Sequence, residues 1–182
     1  MNISHLADVL LLAGAAVAIA AIRFFEPPAK AAKTINVHPS FPVFVRIAYG
    51  WLVVAATLGI WASLVNKAPG ISGASRHALT VGFIATMIFC VGQRVLPSFC
   101  GMRVLWSPKL MLVMLALLTT GCTLRVASEI LAYQDYAKWA WNVLPVSALI
   151  ELTAVALFAI NLIATFARPP VVVTSALTMT TE

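Results

Sequence analysis

Charge is scarce in this chain: only 10% of its 182 residues are Asp, Glu, Lys or Arg, and the acids number six. A soluble domain carries roughly a quarter of its residues as charges, so a fully water-facing shell is excluded. Cysteine is scarce too. Cys90, Cys100 and Cys122 have no second Cys or His at metal-ligand spacing, which leaves reduced, structural thiols as the expectation. There is no Walker loop, dinucleotide fingerprint, CxxC, CxxCH or HExxH. No internal repeat emerges, and an odd number of spans argues against a self-contained inverted-repeat transporter.

What the chain has is apolar length. Hydrophobic residues make up 62% and the mean hydropathy is +0.97. A span needs roughly 20 apolar residues, and five stretches qualify: residues 5–25, 43–65, 76–96, 109–131 and 143–166. The expected fold is all-α, a polytopic transmembrane bundle of five helices. Residues 1–168 form its single domain and 169–182 a short cytoplasmic tail. The first stretch has no basic n-region and ends at Arg23-Phe24-Phe25, so it reads as a retained helix and not as a signal peptide.

Basic residues are distributed unevenly. Arg23, Lys30, Lys33, Arg46, Arg94, Arg103, Lys109 and Arg168 fall at one set of helix ends, against Lys67, Arg76, Arg125 and Lys138 at the other. By the positive-inside rule the first set is cytoplasmic, with the N-terminus outside and the C-terminus inside. The same belt explains a pI near 9.7 and attracts anionic headgroups, so basicity does not indicate nucleic acid as a partner. Trp61, Trp139 and Trp141 fall at the outer interface and Trp106 at the inner one, as an aromatic belt requires.

Local signals refine the spans. Residues 25–42 carry four prolines and no apolar period, an extended cytoplasmic loop in which His38 is solvated. Ser75 is expected to cap a helix beginning at Arg76 and His77. Gly50, Ala55, Ala56, Gly59 and Ala62 allow close helix approach. Pro97 and Pro108 bracket a turn, and Pro145 belongs in the first turn of the last helix. Met87, Met111 and Met114 read as packing.

Ionisable groups gather at the outer end of this topology: His5, Asp8, Arg76, His77, Arg125, Glu129 and Glu151. Charge in hydrocarbon is costly, so such a layer suggests a site. Arg125 and Glu129, four residues apart, are expected to pair on one side of their helix. Glu151 lies on a seam, Ser147, Glu151, Ala154, Phe158, Asn161 and Thr165, that should face the interior, as a hydrogen-bonded acid or a proton carrier. His77 has two readings. It is an amphipathic residue facing headgroups, or, kept neutral by a helix N-terminus, a haem ligand, with His5 as second axial ligand and Arg76 or Arg125 on the propionates.

Two stretches, FPVFVRIAYGWLVVAA (41–56) and RHALTVGFIATMIFCVGQRVLPSFCG (76–101), resemble the C-terminal half of NnrS-family membrane proteins. His77, Ala78, Leu79, Thr80, Gly82, Met87 and Arg94 carry the pattern. The resemblance implies a bacterial inner-membrane protein that binds haem b near the periplasmic face, or copper, with His77 as ligand and a role in redox or nitric oxide response. Members of that family are about twice as long and have further histidines. The chain is therefore expected to be a truncated paralogue or one subunit of a homo-oligomer or a larger membrane (respiratory) complex. A non-catalytic accessory subunit and a proton or small-solute conduit on Arg125, Glu129 and Glu151 are the alternatives.

Overall fold

The computed structural model describes residues 3–21, 41–65, 69–99 and 105–168. They form the helices α1 (Ile3–Ala21), α2 (Phe41–Leu64), α3 (Ile71–His77), a π-helical segment (Ala78–Ala85), α4 (Thr86–Phe99), α5 (Pro108–Tyr133) and α6 (Ala140–Phe166). Because α3, the π segment and α4 run on as one rod, there are five long helices. Four of these are long and apolar enough to cross a membrane: Phe41–Leu64, Ile71–Pro97, Pro108–Tyr133 and Ala140–Phe166. This is a multi-pass membrane architecture. Hydrocarbon leaves every unpaired backbone group unsatisfied, and helices pair theirs internally. Hydroxyls solve the same problem locally: Thr57, Thr80, Thr119, Thr123 and Thr153 each donate to the carbonyl four residues back.

Contacts along each rod give the packing order. Ser75 donates to Ala55 O at 2.7 Å, Gly82 lies against Trp51, and Arg94 sits over the Phe41 ring, so α2 runs antiparallel to the α3–π–α4 rod. His77 meets Glu129 and Gln93 meets Met114, which makes α5 antiparallel to the same rod. Arg125 reaches Leu144 and Ser107 reaches Asn161, so α6 is antiparallel to α5. The helix α1 packs along α2.

The core has two apolar clusters. Phe44, Phe89, Leu105, Met111, Met114, Leu115 and Leu118 fill one, where Phe89 and Phe158 stack at 4.3 Å. Ala55, Leu58, Ile71, Ala74, Ala78, Cys122 and Val126 fill the other. The buried Met111 and Met114 are packing residues, as expected. On α2 the close approach is made by Ala55 and Ala56, whereas a Cβ at Gly50 would meet open space. The α6 seam faces inward, with Ser147, Ala154, Asn161 and Thr165 buried.

Next to the first cluster lies a buried polar network. Asn161 Nδ2 donates to Gln93 Oε1 (2.8 Å) and Ser107 O (3.1 Å), and its Oδ1 accepts from Ser107 N (3.1 Å). Thr165 Oγ1 accepts from Trp106 N at 2.9 Å. Ser107 caps α5 by accepting from Leu110 N, with Pro108 at the first helical position. At the other end α5 closes with Tyr136 N bonded to Leu131 O and Asp135 N to Ala132 O, Asp135 taking φ 56. That is a Schellman termination, with Asp in the left-handed position usually held by Gly.

Three local expectations are corrected. The third span starts at Ile71, not Arg76, because Gly70 at φ 84 supplies the turn five residues earlier, and Ser75 lies inside the helix bonded to α2. Pro145 is the sixth residue of α6 and not in its first turn, since the helix begins at Ala140. Pro97 lies inside α4 and does not precede a turn immediately, because α4 runs on to Phe99. The loop with His38, Lys30 and Lys33, Arg23, Lys67, Cys100, Arg103 and the 169–182 tail lie outside the described residues.

Replacing Asn161 by Leu would keep the branched shape, though not the volume, and strip partners from Gln93 and Ser107. Unpaired buried polar groups cost about 1–3 kcal/mol each, so thermal unfolding in detergent should show a clear fall in Tm. Lipid-facing Leu149→Ala should leave Tm nearly unchanged.

Candidate functional site

The site is built on glycines. Gly70 turns the chain against the end of α5, where a Cβ would lie 2.6 Å from Tyr133 Cβ and 2.8 Å from Glu129 O. One turn on, Gly73 leaves the space that the Glu129 carboxylate occupies: a Cβ there would be 2.9 Å from Glu129 Cδ. Another turn on stands His77, whose Nδ1 is 3.0 Å from Glu129 Oε2 and 3.2 Å from Gly73 O. Spacings of three and four residues put 70, 73 and 77 on one face, towards α5. A carbonyl only accepts, so the Nδ1 bond to Gly73 O puts a hydrogen on Nδ1 and leaves Nε2 as the variable nitrogen.

The opposite wall is α5 with α6. Cys122 Sγ lies 3.8 Å from His77 O, and Gly121 makes room for Glu151, whose Cγ would be 2.7 Å from a Cβ at that glycine. Glu151 is within electrostatic reach of His77, Arg125 and Cys122. Glu129 is 9% exposed, and the His77 side chain is 32% exposed. Among the described residues, Glu129 Oε2 and Glu151 Oε1 are buried without a directed hydrogen bond. The single Nδ1 hydrogen is aimed at Gly73 O, so Glu129 Oε2 lies 3.0 Å from Nδ1 without a well-aligned donor there. Two carboxyl oxygens without donors, beside an imidazole with a free nitrogen, are well suited to holding protons or a cation.

The structure gathers His77, Glu129, Glu151 and Arg125, and it rearranges their pairing. Arg125 does not pair with Glu129. Its Nη1 donates to Leu144 O on α6 at 3.3 Å, while Glu129 turns to Gly73 and His77 on α3. The two side chains share a helix, but each follows the neighbouring helix that offers it a partner. Arg76 is outside the cluster: it is exposed and donates to Ser72 O within its own helix. His77 is the seventh residue of α3, past the four free amides of the first turn, so a helix-terminus field is not what surrounds it. The side chains of His5 and Asp8 lie outside the described residues. No group of three or more His, Cys, Asp or Glu forms a metal-ligand set among the described residues.

The glycine seats and the π segment escaped sequence reading. The signal for the first was present as Gly73-x-x-x-His77, a small residue one turn before an ionisable one. The segment Ala78–Ala85, directly after His77, is a wide turn of the kind that clusters at functional sites. There Gly82 accommodates Trp51, a Cβ lying 2.5 Å from its Cγ, and Thr86 Oγ1 donates to Val81 O five residues back.

Gly73→Ala should destabilise the protein by about 1–3 kcal/mol, the usual cost of overpacking. Much of that cost should vanish in Gly73→Ala with Glu129→Ala, because the clash is with that carboxylate. A double-mutant cycle on thermal unfolding measures the coupling.

A family described as "Domain of unknown function (DUF8744)" matches residues 31–165, most of the chain, and the chain belongs to it. Neither a curated protein nor a solved structure gives a match.

Proposed function

We propose that the chain is a bacterial inner-membrane protein whose His77–Glu129–Glu151 cluster takes up and passes protons within the bundle. The observation that carries this reading is the imidazole whose Nδ1 bonds Gly73 O and lies 3.0 Å from Glu129 Oε2, its ring one-third exposed, beside a buried acid that lacks a donor. Intramembrane His and Glu in series are the usual components of proton relays. The cluster lies near the N-terminal start of α3 and the C-terminal end of α5, with Glu151 about 16 Å into α6 at 1.5 Å per residue. The positive-inside rule assigns this end to the periplasm, with the N-terminus outside. In this arrangement His77 receives protons from the outer surface and Glu151 is the deepest acceptor.

One observation favours a second reading. Fixing Nδ1 on a backbone carbonyl is also how ligating histidines are oriented, leaving Nε2 for a metal. That suits His77 as the ligand to haem b, or to copper, that the NnrS resemblance implies. The haem would supply redox chemistry and His77 its orientation, with a homo-oligomer or other subunits adding further ligands.

Purified protein in liposomes carrying an internal pH-sensitive dye distinguishes the readings. Under an imposed potential, wild type should acidify the lumen, and Glu151→Gln and His77→Gln should each lower the rate at least tenfold while folding normally. Equal flux in wild type, variants and empty liposomes would sink the conduit reading. A Soret band lost in His77→Ala would establish the haem reading in its place. Neither flux nor a band would leave a structural accessory subunit.

A further inference from the structure

A guanidinium stays charged in a protein and offers only donors, so Arg125 cannot pass a proton along the His77 end of the bundle. Its place on α5 gives it a different part. Gly121, where the Glu151 Cγ is seated, precedes Arg125 by four residues, and Glu129 follows it by four. With a rise of 1.5 Å and a turn of about 100° per residue, Arg125 stands about 6 Å along the helix from each of those positions and about 40° around it from each. It is therefore midway between the place of Glu151 and that of Glu129. The imidazole lies over the same stretch of α5, with Cys122 Sγ near His77 O and Glu129 Oε2 near Nδ1.

The side chain is held on the approach to Glu151. Its Nη1 donates to Leu144 O at 3.3 Å, and Ser147 Oγ donates to the same carbonyl at 2.7 Å. Leu144 precedes Glu151 by seven residues on one face of α6, so the guanidinium is pinned about 10 Å from the level of Glu151, towards the start of that helix. The partner is neutral, and Arg125 makes no ion pair among the described residues, although Glu151 is within its electrostatic reach. An arginine paired with an acid has its field largely cancelled nearby. One bonded to a carbonyl keeps a whole positive charge, which a half-buried setting screens far less than water does.

A proton and a metal ion meet that charge differently. A proton that reaches Glu151 becomes part of a neutral carboxyl group. An alkali cation would remain a separate charge within reach of the guanidinium, and would have given up its water to get there. We infer that Arg125 sets the ion selectivity of this pathway, admitting protons to Glu151 and turning back alkali cations. The inference rests on the proton reading of the His77–Glu129–Glu151 cluster and adds to it the class of ion that the cluster accepts. Leu144 O and Ser147 serve by keeping the guanidinium on the α6 side, away from the Glu129 carboxylate.

The test uses the full-length protein in two sets of liposomes, one with an internal pH-sensitive dye and one in which uptake of radioactive sodium is counted. Wild type should pass protons and take up no more sodium than empty liposomes. Arg125→Gln and Arg125→Met should each raise sodium uptake about tenfold over wild type, the order expected of one unit charge at about 10 Å and an effective dielectric near 20. Either neutral variant that elutes as wild type does in gel filtration suffices. Arg125→Lys restores the charge and should again exclude sodium. Arg76→Gln removes an exposed charge at the same end, outside the cluster, and should change neither flux. Sodium excluded by the neutral variants, carried by wild type, or admitted equally by Arg76→Gln would overturn the inference and leave the proton reading standing. Wild type without proton flux above empty liposomes would overturn the proton reading itself, and the selectivity role would fall with it.

Discussion

Close approach of α5 to its neighbours at two glycines is the constraint on which the rest of this bundle depends. Within a membrane, helices gain little from burying apolar surface against one another, because lipid is equally apolar; packing contact and internal hydrogen bonds must hold them together. Gly73 and Gly121 provide contact of an unusual kind: the space freed at Gly73 is filled by the Glu129 carboxylate, and that at Gly121 by the Glu151 side-chain methylene with the Glu151 backbone N and Ile150 behind it. The helices are thus fitted together through Glu129 and Glu151. Neither acid can be enlarged, moved or re-aimed without opening a gap between α5 and its partner, so their burial and the helix packing are one arrangement.

The two ends of the bundle handle polarity in opposite ways. At the Asn161 end every amide finds a partner: Gln93, Ser107, Trp106 and Thr165 saturate one another, and the result is a fixed joint between α4, α5 and α6. At the His77 end, two carboxyl oxygens have no directed donor. A saturated network is rigid and specific, whereas an unsaturated one retains capacity to bind. The contrast within one small bundle puts the bonded polar network at one end and the unpartnered carboxyl oxygens at the other. Burial alone does not distinguish the two ends: Gln93 and Asn161 are 2% and 0% exposed, yet each is held by hydrogen bonds to neighbouring helices.

The architecture was largely legible from hydropathy, because a run of roughly 20 apolar residues bounded by charge or proline has few alternatives to a helix. The α6 seam was legible for a similar reason: Ser147, Ala154, Asn161 and Thr165 recur at spacings of seven, seven and four, which keeps them on one face of a helix. Pairings across helices were not legible. Arg125 and Glu129 have the spacing of an intrahelical ion pair, and only the positions of Leu144 and His77 on other helices decide that each turns away. The start of α3 was misplaced because serine is a strong capping signal, while a glycine at positive φ acts through a turn that no side chain announces. Gly73 escaped notice because what it does is visible only in the residue that fills its place.

The π segment connects these themes. It begins at Ala78, immediately after His77, and ends where α4 enters the core occupied by Phe89 and Gln93. Both flanks of the rod are anchored, α3 by Ser75 on α2 and Glu129 on α5, and α4 by Asn161 on α6. A regular α-helix advances about 100° per residue, so the facing of one anchored flank would dictate that of the other. A wider turn between them frees the two registers from each other. Trp51, lying against Gly82 at the middle of the segment, occupies the surface that the wide turn presents and holds it in that form. His77 can then face Glu129 while Gln93, sixteen residues on, faces Asn161, and the two polar ends coexist on one continuous helix.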